Sequence, residues 1–188
     1  MRLVRVAAAV VVGVAMLAGC SGGEKANETL PSTSSTPVET TESLPPLGPP
    51  DLPMPADARE QTPAGAEAFI RYYMAIYTAA QADLDATYLA QFSQECSFCN
   101  ALIKRLTDNA ASGNTYDGGA VTLTATSLAP SEHDRMEGAF TIDQAALTIR
   151  DPVGTVVSAE PQATYDCGVV LTWSSADTSW VLFQWDVN

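Results

Sequence analysis

Apolar residues recur every three to four positions before Gly113 and at every second position after it. The first spacing is typical of an amphipathic helix, and the second is typical of a strand with one buried face. A chain that places its helices first and its strands afterwards predicts an α+β domain. We therefore expect N-terminal helices packed on one face of a bent antiparallel sheet.

The sequence predicts three helices between residues 62 and 114. Thr62 as the N-cap and Pro63 at the first helical position mark the start of the first helix. A shorter helix is predicted over 83–92 and a third over 96–111. Gly113 and Asn114 close the third helix, because helices commonly end at a residue with left-handed backbone.

Alternating apolar residues predict strands over 120–128, 138–150, 165–173 and 181–187. Within 138–150 the apolar residues shift from even positions, such as Ile142, to odd positions, such as Leu147. Side chains alternate between the two faces of a strand, so this shift predicts one long strand with a bulge near residues 143–145.

The first twenty residues carry a targeting signal. Arg2 and Arg5 precede an apolar run over 6–17, which has the length of a signal-peptide core and is too short to span a bilayer. The four residues at 17–20, Leu-Ala-Gly-Cys, resemble the lipobox of bacterial lipoproteins. We therefore expect a lipoprotein signal peptide over 1–19, acylation of Cys20, and anchoring on the extracytoplasmic face of the cell membrane, with the membrane contacted through the lipid.

Residues 20–61 are predicted to form a disordered tether. They hold eight of the twelve prolines and a Ser/Thr run over 31–37, and they contain no aromatic residue. Such a composition buries too little apolar surface to offset the entropy of ordering. The segment is either a glycosylated stalk or a bare spacer, and it separates the membrane from a domain over 62–188.

The charge of the chain excludes one class of partner. The formal net charge is −13, and loss of Arg2 and Arg5 with the signal peptide would make it two units more negative. Nucleic-acid binding requires clusters of Lys and Arg, and here the adjacent basic pair Lys104-Arg105 lies on a predicted helix surface. We expect no nucleic-acid partner, no cofactor and no metal.

The order of the predicted elements resembles the NTF2-like, cystatin-like α+β cone. The whole layout is also similar to a family of actinobacterial lipoproteins of unknown function. The matching pieces are the lipobox, the Pro/Thr tether, the motif Leu52-Pro53-x-Pro55, the stretch Gly-Ala-Glu-Ala-Phe-Ile-Arg-Tyr-Tyr at 65–73, Cys96-x-x-Cys99 and a Trp-rich final hairpin. This resemblance implies a fold and a location, and it implies no activity.

Cys96 and Cys99 open the third helix, where residues three apart lie close enough for a disulfide. We predict that they are bonded to each other, with Cys167 a buried thiol in a strand. Three alternatives stay open: a redox site, a metal site completed by Cys167 and His133, and a bridge from either cysteine to Cys167.

An NTF2-like cone would form its pocket from the first helix and the concave face of the sheet. The candidate pocket residues are Phe69, Tyr73, Tyr77, Asp143, Phe183 and Trp185. We interpret the domain as a module that binds a small ligand or an envelope partner, without catalytic residues. The alternative is a pocket enzyme of the isomerase or dehydratase type, in which Asp143 would act beside a tyrosine.

The anchor can be tested at Cys20. The N-terminal peptide of the mature wild-type protein should carry a diacylglycerol adduct on Cys20, whereas Cys20→Ala should give uncleaved or soluble protein, because an apolar core of twelve residues does not anchor a mature chain. Mass spectrometry of that peptide decides the matter, and an unmodified wild-type peptide would contradict the prediction.

Overall fold

The computed structural model describes residues 44–188, and the predicted signal peptide, Cys20 and most of the predicted tether lie outside this range. A short 3-10 helix, Asp57–Arg59, is followed by three α-helices and seven strands. The helices are α1 (Pro63–Asp83), α2 (Thr87–Gln91) and α3 (Ser97–Ala111). The strands are β1 (Thr115–Gly118), β2 (Val121–Pro130), β3 (Arg135–Gln144), β4 (Leu147–Arg150), β5 (Val156–Glu160), β6 (Ala163–Ser174) and β7 (Ser179–Val187). The predicted α+β class is confirmed.

The helices form where the apolar spacing predicted them, with one difference. Thr62 caps α1 through its side chain, which accepts a hydrogen bond from the Gly65 N–H at 3.0 Å. The second helix is shorter than predicted, because Leu84 adopts left-handed backbone (φ 54°) and ends α1. The chain then turns before α2 begins at Thr87.

The strands form two antiparallel sheets instead of one. The larger sheet has the order β2-β3-β6-β7, and the smaller has the order β1-β4-β5. Buried apolar side chains of the helices and strands meet in one core, which includes Phe69, Leu106, Phe140 and Leu182. The helices therefore cover the concave face of the larger sheet, as expected.

The predicted long strand over 138–150 is corrected by the structure. β3 ends at Gln144, and β4 begins at Leu147 and pairs in the other sheet. The shift in apolar phase thus marks the point where the chain leaves one sheet for the next. The bulge itself lies on the neighbouring strand, where Thr124 of β2 is left out of register with β3.

Residues 44–61 pack on the domain, although the sequence placed them in the tether. We call them the N-terminal strap. Met54 and Ala58 are buried in the core, and Leu52 accepts a hydrogen bond from the Tyr72 hydroxyl at 3.1 Å. The Glu60 carbonyl accepts another from the Trp180 indole at 2.9 Å. The packed region therefore begins upstream of the predicted boundary at Thr62, because proline-rich segments can order against a surface that satisfies their carbonyls.

Arg59 joins the strap to the turn between β6 and β7. Its side chain is buried, and its guanidinium donates to the carbonyls of Pro45 at 2.6 Å, Asp177 at 2.9 Å and Thr178 at 3.2 Å. Each of the three guanidinium nitrogens thus donates to a carbonyl, and no carboxylate is involved.

No helix among residues 44–188 is long and apolar enough to cross a membrane.

The contribution of the Arg59 hydrogen bonds to stability can be measured by substitution. Arg59→Met keeps much of the side-chain length and removes every donor, so the free energy of unfolding should fall by about 2 kcal/mol. Arg71→Met is the matched control, because Arg71 is exposed on α1 and should change stability by less than about 0.5 kcal/mol. Urea unfolding of both variants checks this, and equal stability of the two would contradict the role of Arg59.

Candidate functional site

A cavity of about 320 Å³ opens between α3, the C-terminal half of α1 and the concave face of the larger sheet. Most of its wall is apolar or aromatic, with a polar patch at the end near β5. The lining residues are Tyr77, Phe98, Ala101, Leu102, Arg105, Ile142, Gln144, Glu160, Tyr165, Trp185 and Val187.

Trp185 of β7 forms the centre of the aromatic wall. Its ring centroid lies 4.8 Å from that of Phe98, 5.6 Å from Phe140, 6.1 Å from Tyr77 and 6.3 Å from Tyr73. The two tyrosine contacts are edge-to-face, the arrangement that aromatic quadrupoles prefer. Trp185 thus contacts α1, α3 and β3 at once and shapes the cavity floor.

An ion pair forms the polar end of the cavity. Arg105 Nη1 of α3 donates to Glu160 Oε1 of β5 at 2.9 Å, and both side chains are about one-third exposed. Gln144 Nε2 of β3 donates to Glu160 Oε2 at 3.3 Å. Both oxygens of the Glu160 carboxylate are therefore engaged, and the charges of the pair cancel.

Two tyrosine hydroxyls lie beside this pair. Burial raises the pKa of Tyr77 to about 12, and the nearby Arg105 guanidinium opposes this rise. Burial also raises the pKa of Tyr116, whose hydroxyl is enclosed without a hydrogen-bond partner in the described part of the chain. Both hydroxyls are protonated at neutral pH, and of the two residues it is Tyr77 that lines the cavity.

The structure separates the six predicted pocket residues. Tyr77 and Trp185 line the cavity, as expected. Phe69 and Tyr73 are fully buried in the core behind it, where the Tyr73 hydroxyl is hydrogen-bonded to Ser93 at 2.7 Å. Phe183 lies away from the cavity beneath the Arg135 guanidinium, which is 4.6 Å from its ring centroid.

Asp143 does not face the cavity, which corrects the expectation. Ile142 and Gln144 line it, and strand alternation places the intervening Asp143 on the opposite face of β3. There its carboxylate accepts a hydrogen bond from the Thr164 hydroxyl at 2.6 Å. The carboxylate that lies in the cavity is Glu160.

Arg105, Gln144 and Glu160 were missed by the sequence analysis. Arg105 was interpreted as a surface residue, although it lies seven positions after Phe98 and three after Leu102, on the same face of α3. Glu160 lies in β5, a strand that shows no apolar alternation. The helical spacing was the one signal that could have identified Arg105.

Cys96 and Cys99 form the predicted disulfide, with their Cα atoms 5.2 Å apart. The two residues are buried, and Cys96 caps α3 by accepting a hydrogen bond from the Cys99 N–H at 3.2 Å. Cys167 is a buried free thiol, so the alternative bridge to it is not formed. Burial raises the pKa of the Cys167 thiol, and the Trp185 indole beside it partly offsets this.

Residues 44–188 contain no cluster of three or more His, Cys, Asp or Glu that could hold a metal ion.

The family of unknown function DUF6318 matches residues 38–185. The chain belongs to this family. The match confirms the expected resemblance to a family without a known function, while the lipobox and the actinobacterial origin stay predictions. No curated protein sequence matches the chain.

Solved structures are similar in fold to this DUF6318 member. The intermembrane space region of the chloroplast protein ARC6 aligns with a TM-score of 0.50 and 19% identity, over 65% of this chain and 93% of that one. An NTF2-like superfamily protein from Salmonella enterica aligns with a TM-score of 0.46 and 11% identity, over 68% and 92%. ActVI-ORFA from Streptomyces coelicolor aligns with a TM-score of 0.41 and 16% identity, over 66% and 96%. At these identities the likeness concerns the fold alone.

The raised pKa of Tyr77 predicts a loss of stability in alkaline solution. The folded state holds the phenolic proton to about pH 12, whereas the ordinary value is 10.0. The stabilisation is therefore complete below pH 10 and is lost as the pH rises from 10 to 12. Tyr77→Phe has no phenolic proton to lose at this position. Between pH 10 and 12 the free energy of unfolding of the wild type should therefore fall more steeply than that of the variant, and the two slopes should differ by about 1.4 kcal/mol per pH unit. Urea unfolding at pH 9.5 and 11.5 measures the slopes, and parallel pH profiles would contradict the prediction.

Proposed function

We propose that this DUF6318 member is a lipoprotein of the cell envelope whose domain binds a small, mainly apolar ligand in the cavity between α3 and the larger sheet. The observation that carries the proposal is the cavity itself. Its volume of about 320 Å³ lies at the lower end of the range of ligand pockets in proteins. Its walls combine aromatic and aliphatic side chains with a single polar end, which is the usual composition of such pockets.

The aromatic wall supports a flat or ring-containing ligand. Trp185 and Phe98 lie at the cavity with tilted rings whose centroids are 4.8 Å apart, and Leu102 and Ile142 face it as aliphatic walls. Burying an apolar ligand against these side chains would contribute about 25 cal/mol for each Å² removed from water.

The polar end supports a ligand without net charge. The Glu160 carboxylate is engaged by Arg105 and Gln144, so it offers little to a cation. The guanidinium of Arg105 uses Nη1 in this pair and also hydrogen-bonds to Tyr77, so the proton of the Tyr77 hydroxyl remains for an uncharged acceptor. An anion would meet the unfavourable field of a chain with a net charge of −13.

The same contacts favour binding over catalysis. A pocket enzyme of the isomerase or dehydratase type needs a carboxylate that can exchange a proton with its substrate. Asp143 lies on the other face of the sheet, and both oxygens of Glu160 are held by hydrogen bonds. The alternative function would thus have to release Glu160 before proton transfer.

The proposed location depends on Cys20 and the residues that precede the described domain. Acylation there would add about 0.8 kcal/mol of membrane affinity for each buried methylene, and two chains would anchor the protein stably. The cavity domain would then stand outside the cytoplasmic membrane, where a disulfide such as Cys96–Cys99 is stable.

A neutral fluorescent ketone tests the cavity. Prodan, a naphthalene with one carbonyl acceptor, should bind the full chain with increased and blue-shifted emission. Ala101→Trp places a large side chain at the mouth and should weaken binding at least tenfold.

Ala110→Trp is the matched control, because Ala110 lies on α3, is exposed and does not line the cavity. It should bind prodan as the wild type does. Equal loss in both variants, or no prodan binding by the wild type, would contradict the proposed ligand cavity.

A further inference from the structure

A second concave surface lies where α3 begins beside the end of β7, next to the mouth of the cavity. We call it the β7 groove. It is open, with a volume of about 600 Å³. Its walls are formed by Glu95, Ser97 and Phe98 on one side and by residues 183–187 on the other.

The charged residues that line the β7 groove are acidic, and one cation of this chain, the Arg135 guanidinium, lies over the ring of the lining residue Phe183. Glu95 and Asp186 line it from opposite walls, and no Lys, Arg or His is among its lining residues. The rest of the molecule adds to this field, because the chain has a formal net charge of −13. A positively charged partner would gain both local ion pairs and long-range attraction.

An exposed aromatic ring, that of Phe98, makes the groove suitable for basic side chains. Phe98 is 38% exposed, which is high for a phenylalanine. Phe183 is half-buried, and its ring is already occupied by a guanidinium of this chain, since Arg135 lies 4.6 Å from its centroid. Aromatic faces attract the cationic heads of Arg and Lys, while the rings pack against their methylene stems.

The wall formed by Glu95 is fixed in place. The preceding Gln94 donates its backbone N–H to the Leu182 carbonyl of β7 at 3.0 Å. Glu95 then adopts left-handed backbone with φ 58°, and the Cys96–Cys99 disulfide follows at once. The backbone of this wall is therefore already ordered before a partner binds.

We propose that the β7 groove docks a basic, extended segment of another polypeptide. Arg or Lys side chains of that segment would pack against Phe98 and pair with Glu95 and Asp186. This surface is distinct from the ligand cavity, although the two share Phe98, Trp185 and Val187.

Charge disfavours two other occupants of the groove, a second copy of this chain and the chain's own residues 21–43. A second copy of this chain would bring a further net charge of −13 to an acidic groove. The chain's own residues 21–43 contain four glutamates and one lysine, so they too are repelled. A basic segment of a different protein is the occupant that the charges fit.

The test uses a fluorescein-labelled decapeptide of alternating Arg and Val, with fluorescence anisotropy as the readout and the purified full chain as the receptor. Glu95→Gln/Asp186→Asn removes both groove carboxylates and should weaken binding about fivefold. Asp117→Asn/Glu132→Gln is the matched control, because it changes the net charge equally at exposed positions outside the groove. It should change binding by less than twofold.

Equal weakening by the two double variants would show that net charge alone attracts the peptide, and it would overturn the proposal. Absence of binding to the wild type would do the same. Sedimentation of the wild type and of the groove variant tests whether a second copy of this chain occupies the groove. A change in oligomeric state on Glu95→Gln/Asp186→Asn would assign the groove to contacts between copies and would also overturn the proposal.

Discussion

The packing of the Trp185 indole holds the two layers of this domain together. Its ring contacts Tyr73 and Tyr77 of α1, Phe98 of α3 and Phe140 of β3, all with centroids within 6.3 Å. A ring that large keeps α3 away from the strands at one end, while Arg105 and Glu160 join α3 to β5 at the other. The cavity is the space between these two contacts, so the shape of the site follows from how one aromatic side chain packs.

The larger elements could be predicted because their side chains repeat. The helical stripe of α1 and the alternation along β6 and β7 both come from one buried face, and the structure has these elements where the sequence placed them. β1 and β5 were missed, because their side chains are mostly exposed and show no period. The strap was missed for a different reason: its order depends on three carbonyl contacts to Arg59 and on the Trp180 indole, which no local pattern reveals.

The site could be predicted in part. Tyr77 and Trp185 belong to strongly periodic elements, and their inward direction follows from the period. The alternation of Ile142 and Gln144 would also have placed Asp143 on the outer face, had the end of β3 been recognised. Arg105 and Glu160 lie 55 positions apart in sequence, and their pairing depends on the route of the chain from the larger sheet into the smaller one. Sequence periodicity carries no information about that route.

Ligand binding in the Trp185 cavity is tested most directly by following the three tryptophan indole N–H resonances while prodan is added to the ¹⁵N-labelled protein. Trp173 and Trp180 pack against each other, with centroids 5.1 Å apart, and neither lines the cavity. If prodan binds in the cavity, the indole resonance of Trp185 shifts with saturation, while those of Trp173 and Trp180 stay in place. A saturable shift confined to Trp173 or Trp180, or a spectrum unchanged by the ligand, would contradict it.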